Sequence, residues 1–423
     1  MCALRILRCN CEPRARRKKH MEGLMYEYQT TGAYFAQAAG LMEELCRKEL
    51  EELGATDIST RYRGLCFKAD SRALYAINYT SRLLTRVLAP LTRFHCRGPE
   101  MLTKAARKIK WEHFLTLDQT FAITATVANS EITHSLYAAQ CLKDAIADHF
   151  RSISGGRRPS VDTARPDVRF NLHIDRNKAV ISLDTSGESL HKRGYRLQAG
   201  EAPMQETLAA AIVRLSGWGG ESTFWDCMCG SGTLLCEALM HYCRIPAQFL
   251  RKKMGFFALP DFDRRLWNSV KAEADARMRP LPPDLIRGSD LSRRALAVAR
   301  GNLARLPSSE AVTLACHPFQ HVKRFENGTL VANPPYGIRL GSTDDAVELY
   351  RELGDFIKQR CTGSVCYLYT GDPALRKAVG LRTSRRVPLV NGKLEGVLLR
   401  FDSYEGSKKK YYAAYKEEEA RRG

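Results

Sequence analysis

From Leu41 to Leu53 the apolar residues Met42, Leu45, Cys46, Leu50 and Leu53 recur at helical spacing, with Glu43, Glu44, Lys48 and Glu51 off the stripe. The pattern predicts an amphipathic helix closed by Gly54. A short apolar run, Ala33 to Ala39, precedes it, and Ile58 to Lys68 reads as a strand. Ser71 is placed to cap a second helix reaching Leu84. Strand, helix, strand, helix and strand in this order predict a small α/β layer of ferredoxin type.

Further along, Phe121, Ile123 and Ala125 alternate against Thr124 and Thr126, a strand pattern. Ser135 to Phe150 follows as a helix with Leu136, Ala139, Leu142, Ile146 and Phe150 on one face. A loop rich in Gly, Arg and Pro (154–166) leads to a hairpin. Val168, Phe170, Leu172 and Ile174 alternate on one arm, Ala179, Ile181 and Leu183 on the other, around a turn at Asp175 to Lys178.

From Gln205 strand and helix alternate regularly. Helix Glu206 to Leu215 ends at Gly217, strand Thr223 to Asp226 runs into Cys229-Gly230-Ser231-Gly232-Thr233, and helix Leu234 to Tyr242 follows. Then come strand Leu285 to Asp290, helix Ser292 to Leu306, strands Val312 to Ala315 and Thr329 to Ala332, helix Asp345 to Arg360 and strand Ser364 to Thr370. Two strands around Asn391-Gly392, a dipeptide suited to a type I′ turn, close the pattern. Repeated βα units predict a doubly wound, mostly parallel α/β sheet behind the smaller α/β units.

Charge adds a partner to this picture. The 423 residues hold 66 Lys+Arg against 46 Asp+Glu, a net +20, which points to nucleic acid or an anionic membrane surface. The tails, 1–20 and 407–423, contribute +6 and +3, so the body between them is itself basic at +11. No stretch approaches the ~20 apolar residues of a membrane span, and no apolar signal-type run precedes Tyr26, so a cytoplasmic protein with no membrane partner is expected. Met21 and Met25 are alternative starts. The 14 cysteines are scattered without a Cys-x-x-Cys pair, which predicts reduced core residues and no metal. Cys229, Cys236 and Cys243, seven apart, read as a buried helix face.

Candidate chemistry falls at strand ends, where open α/β sheets bind ligands. Asp226 ends one strand, and Gly230 and Gly232 make a turn tight enough for backbone to approach a ligand. Asp290 ends the next, where an acid commonly bonds ribose hydroxyls; Asp290 or Ser292 also suits a helix cap. The third motif, Asn333-Pro334-Pro335-Tyr336, is more specific, because two prolines stop the strand and hold the backbone extended. Such a segment projects the Asn333 amide, the Pro334 carbonyl and the Tyr336 ring into the cleft. Two acceptors and a stacking ring suit the alkylation of a planar exocyclic amine, whose lone pair is delocalised into its ring.

The run Asp226 to Thr233 with Glu237, and Asn333-Pro334-Pro335-Tyr336, resemble the S-adenosylmethionine loop and catalytic motif of class I amino-methyltransferases. His191-Lys192-Arg193-Gly194-Tyr195-Arg196, followed by 202–211, and Val390 to Glu395 resemble the THUMP-domain RNA guanine-N2 methyltransferases. Within them the chain is most like the group acting on bacterial 23S ribosomal RNA. The resemblance runs from about residue 26 to residue 401. It implies a basic tail (1–25), a ferredoxin-like domain (26–95), a THUMP domain (96–190), a linker (191–203), a Rossmann-like class I methyltransferase domain (204–405) and a charged tail (406–423). It also accounts for a long insert, Arg244 to Pro283.

On this resemblance Asn333, Pro334 and Tyr336 are catalytic. Asp226, Gly230, Ser231, Gly232, Thr233, Asp290, Leu291 and Asn333 bind S-adenosylmethionine, and Lys192, Arg193 and Arg196 contact RNA, with ribosomal RNA favoured. Charged residues at 192, 193 and 196 also suit a brace between domains. Two departures stand out: Cys227 where the family usually has proline, and His317-Pro318-Phe319 where an acidic residue often meets adenine, which leaves the adenine contact open. No cysteine follows a proline in the Asn333 motif, which disfavours cytosine C5 chemistry. The alternatives are a tRNA guanine-N2 or adenine-N6 methyltransferase and a non-enzymatic RNA-binding ribosome-assembly factor.

Overall fold

The computed structural model describes residues 25–197, 204–335, 343–392 and 394–404. The N-terminal half runs α1 (Glu27–Thr31), β1 (Ala33–Ala38), α2 (Glu43–Glu52), β2 (Thr56–Arg61), β3 (Gly64–Lys68), α3 (Ser71–Thr80), β4 (Leu84–His95), α4 (Pro99–Ala106), β5 (Thr120–Ala128), α5 (Ser135–Ile153), β6 (Ser160–Val161), β7 (Val168–Asp175) and β8 (Lys178–Asp184). One mixed sheet, ordered β2-β3-β1-β4-β8-β7-β5-β6, spans the whole half. The 12-residue β4 joins its two parts by pairing with β1 on one side and β8 on the other.

Local chemistry explains where these elements depart from the sequence pattern. The single strand expected over 58–68 is a hairpin, in which Arg61 pairs with Gly64 and Arg63 takes a left-handed φ of 53°. Asp70, not Ser71, caps α3, its carboxylate accepting the Ala73 N–H at 2.7 Å. That helix stops at Thr80, which frees Leu84 to open β4. Between β7 and β8, Arg176 and Asn177 both have positive φ, 49° and 57°, as a type I′ turn requires.

The C-terminal half runs α6 (Glu206–Ser216), β9 (Phe224–Asp226), α7 (Thr233–Tyr242), α8 (Arg264–Ala276), β10 (Ile286–Asp290), α9 (Arg293–Leu303), β11 (Thr313–Cys316), β12 (Thr329–Ala332), α10 (Thr343–Arg360), β13 (Val365–Thr370), α11 (Pro373–Ala378), β14 (Arg385–Asn391) and β15 (Leu394–Asp402). Its sheet is ordered β11-β10-β9-β12-β13-β15-β14, parallel from β11 to β13 and antiparallel at β15 and β14. This is the doubly wound α/β arrangement, with the reversal of strand order between β9 and β12. The closing turn is one residue away from expectation. Asn391 pairs with Leu394, so Gly392, at φ 66°, begins the turn, while the Asn391 side chain accepts the Gln205 N–H at 3.0 Å.

The insert between α7 and β10 packs against the N-terminal half. Tyr75 stacks on Phe256 with ring centroids 4.6 Å apart, and Trp267 of α8 meets Tyr79 edge-on at 5.3 Å. Tyr28 and Tyr79 donate their hydroxyls to Asp261 (2.6 Å) and Asp275 (2.7 Å). The Phe256 N–H donates to the Thr185 carbonyl at 2.7 Å. Approach is so close at Gly255 that a Cβ there would lie 2.2 Å from the Asp184 carbonyl oxygen. The two halves therefore share a buried aromatic wall with its polar groups paired.

Candidate active site

Strand register assembles the site at the reversal point. Asp226 pairs with Gly288 of β10 and with Val331 of β12. In a parallel sheet this places Asp290 and Asn333 each two residues beyond Asp226 at the same edge, on opposite sides of β9. The turn after Asp226 is held by its neighbours: the Gly230 N–H donates to Asp290 Oδ2 at 2.9 Å, and the Cys229 N–H to the Ser289 carbonyl at 3.0 Å. Asp290 Oδ1 accepts the Ser292 N–H at 2.8 Å, while the Ser292 hydroxyl caps α9 through the Ala295 N–H. Of the two caps the sequence allows, Ser292 takes the role, while Asp290 braces the glycine turn.

Gly230 and Gly232 both lie at positive φ, 52° and 76°, which favours glycine. Their surroundings differ. A Cβ on Gly232 would stand 3.0 Å from the Ala299 Cβ, whereas one on Gly230 would meet no described residue within 4 Å. Thr233 opens α7, and its hydroxyl accepts from Arg196 Nη2 at 3.1 Å. Asp226 is buried, and loss of water pushes its carboxyl up to about 8; Asp290 adds to the rise and the Met228 N–H opposes it.

Three features mark room and unsatisfied bonding capacity. Gly230 has an open flank. Leu291 is 72% exposed beside Asp290. Asn333 Oδ1 is buried with no hydrogen-bond partner among the described residues, and an acceptor left in that state costs about 1–3 kcal/mol. Pro334 is buried next to it. Tyr336 lies outside the described residues. At the end of β11, Cys316 Sγ donates to the Leu291 carbonyl at 3.6 Å and His317 Nδ1 lies 3.0 Å from the Pro318 carbonyl.

Arg193, expected to contact RNA, is instead buried, and Arg196, expected to do the same, is part-buried and held by protein partners. Arg193 is 2% exposed; its guanidinium pairs with Glu237 at 3.3 Å and donates to the Leu190 and Arg82 carbonyls. Arg196 is bound to Glu206 at 2.8 Å and to the Met204 carbonyl at 3.0 Å. Lys192 is exposed and pairs with Glu188. Arg82, from the loop after α3, donates to the carbonyls of Glu237 and Met240 in α7 and of Ile245 just beyond it. Burial lowers the Arg82 guanidinium to about 10 and raises the Glu237 carboxyl against the pull of Arg193 and Arg82. This is a brace between halves.

The sequence reading missed Asn302, whose side chain joins the glycine turn to the linker. Its signal was a polar residue beside Leu303 on the inward face of α9. Cys229, Cys236 and Cys243 are all buried, but only Cys236 lies within α7; Cys229 is in the turn before the helix and Cys243 follows its last residue, so the seven-residue spacing does not mark one helix face. Among the described residues no helix is long and apolar enough to cross a membrane, and no group of three or more His, Cys, Asp or Glu is placed to hold a metal ion.

Residues 33–88 match the RlmL ferredoxin-like domain, 97–184 the THUMP domain and 193–400 the RMKL-like methyltransferase domain. The chain is 37% identical over 376 residues to slr0064 of Synechocystis sp., which carries an RNA methyltransferase name, covering 89% of this chain and 98% of that protein. It is 36% identical over 383 residues to the ribosomal RNA large subunit methyltransferase K/L of Photobacterium profundum; that match covers 89% of this chain but 54% of the relative, so the chain spans about half that protein's length. The crystal structure of SMU.472 complexed with SAH superposes with a TM-score of 0.77 at 28% identity, covering 89% of this chain and 99% of that one. The chain therefore belongs to the RMKL-like methyltransferase family, with an RlmL ferredoxin-like domain and a THUMP domain ahead of the methyltransferase domain.

Proposed function

We propose that the protein methylates N2 of guanine in RNA, with large-subunit ribosomal RNA as substrate and S-adenosylmethionine as methyl donor, in the cytoplasm. The observation that carries this reading is the buried Oδ1 of Asn333, unpaired among the described residues and set at the strand reversal opposite the Asp290-braced glycine turn. The SAH bound in the SMU.472 relative and the ribosomal RNA names of the K/L relatives support it, as does the net charge of +20.

S-adenosylmethionine, when bound, supplies an electrophilic methyl group on a sulfonium. Asp290 retains lone pairs beyond its bonds to Gly230 and Ser292, enough to accept from ribose hydroxyls. Asn333 Oδ1 and the Pro334 carbonyl accept the two N–H groups of the guanine amine and fix its plane, and Tyr336 stacks on the base. A base-paired guanine keeps N2 in the minor groove, so the target must be unstacked or single-stranded. Lys192 and the N-terminal half make phosphate contacts, so RNA affinity falls steeply with salt.

The test is methyl transfer by the full chain to ribosomal RNA from a strain lacking the gene, followed by nucleoside digestion and mass spectrometry. N2-methylguanosine is expected. N6-methyladenosine as product moves the assignment to adenine, and no methylated nucleoside leaves the assembly-factor role.

A further inference from the structure

The glycine turn is fastened at Ser231 by a residue that the chemistry above does not use. Asn302 is 1% exposed, in the last turn of α9. Its Nδ2 donates to the Ser231 carbonyl at 2.9 Å, and its Oδ1 accepts the main-chain N–H of Leu197 at 2.9 Å. Ser231 lies between the two glycines, and Leu197 is in the segment that follows the Arg193–Glu237 brace. One amide thus connects the turn to the connection between the halves.

Its placement follows from helix geometry. Residues three apart share a helix face, so Ala299 and Asn302 both meet the turn. Ala299 contacts Gly232, where a Cβ would be 3.0 Å away, and Asn302 bonds the residue before it. A leucine at 302 would occupy similar volume but leave the Ser231 carbonyl and the Leu197 N–H without these partners. A buried amide is retained at little cost only when both its ends are bonded, as they are here. A second tie runs parallel, from Arg196 Nη2 to the Thr233 hydroxyl at 3.1 Å. Residues 230, 231 and 233 are therefore each held from outside the turn, two of them by way of the linker.

We infer that Asn302 is a positioning residue for the cofactor turn, and that through it the seating of the interdomain linker sets the affinity for S-adenosylmethionine. The inference rests on the methyltransferase reading. It adds that cofactor affinity depends on a bond made outside the glycine turn, to the main chain of Leu197.

The test uses the full chain and calorimetric titration with S-adenosylmethionine. Asn302→Asp keeps the acceptor for Leu197 and removes the donor to Ser231; Asn302→Leu removes both. Leu197→Pro deletes the linker N–H at a residue whose side chain is exposed, leaving Asn302 intact. About tenfold weaker binding is expected in Asn302→Asp and Leu197→Pro, the scale of one lost hydrogen bond, and a larger loss in Asn302→Leu. RNA affinity should be unchanged, and in turnover KM for S-adenosylmethionine should rise while kcat at saturation stays near wild type. A cooperatively melting Asn302→Asp chain with wild-type cofactor affinity overturns the positioning role, because a purely structural amide would lower the melting temperature alone. Should both Asn302 variants fail to fold, Leu197→Pro decides: undiminished affinity there overturns the dependence on the linker. A wild-type chain that binds no S-adenosylmethionine overturns the underlying methyltransferase reading as well.

Discussion

Arg193 Nε and Glu237 Oε1 lie 3.3 Å apart with their side chains 1% and 0% exposed. The arginine comes from the linker and the glutamate from the middle of α7, four residues after the turn's Thr233. Removing one partner from a buried pair strands the other charge without water, which costs about 3–5 kcal/mol. Arg193→Ala should therefore lower stability by that amount in urea melts. RNA affinity, measured well below the melting temperature, should be unchanged; a selective loss of RNA binding at full stability would reinstate Arg193 as an RNA contact.

The raised carboxyl of Asp226 makes stability fall as pH rises. Below about pH 4 folded and unfolded chains both carry the proton; between about 4 and the folded value of about 8, only the folded chain holds it. Stability contributed by this group therefore declines across that window, by at most about 1.4 kcal/mol per pH unit, and levels off above it. Asp226→Asn has no proton to lose. Denaturant melts from pH 5 to 8 should show the variant gaining on wild type, and parallel curves would refute the shift.

The two glycines should respond differently to substitution. Gly230→Ala meets only the left-handed backbone penalty, about 1–2 kcal/mol. Gly232→Ala adds a contact 3.0 Å from the Ala299 Cβ and should destabilise more in thermal melts. Gly232→Val and Asp290→Ala should also weaken S-adenosylmethionine binding by calorimetry.

Asn333→Ala removes an acceptor for the reacting amine, and loss of one such preorganised group typically slows chemistry by about 10²–10³. Single-turnover transfer should show that drop with cofactor affinity retained. Tyr336→Phe should keep much of the rate because its ring face remains, whereas Tyr336→Ala should not.

Much of this was legible in the sequence because it depends on local pattern. The βα alternation after Gln205, the arms of the β7–β8 hairpin and the order of Asp226, Asp290 and Asn333 along the chain all follow from periodicity and turn residues. Turn positions were harder. Tyr62 and Arg63 carry no turn signature, so the β2–β3 hairpin looked like one strand, and Asp70 was as good a cap as Ser71. Long-range partnership was out of reach. Nothing in the run from Lys192 to Arg196 says which arginine will find Glu237, and Asn302 looks like any polar residue at a helix end until Ser231 and Leu197 close on it.

The aromatic wall also bears on how the protein can be divided or recombined. Residues 244–283 belong to the methyltransferase half by chain order, yet Phe256 and Trp267 find their ring partners at Tyr75 and Tyr79. Severing the chain between its halves would bare those rings on both fragments and strip Asp261 and Asp275 of their tyrosine donors. A recognition unit taken from a relative would fit this methyltransferase domain only if it brought a matching surface for the 244–283 segment. The N-terminal half is thus not an exchangeable cassette in this protein, because the seam that would have to open is itself a core.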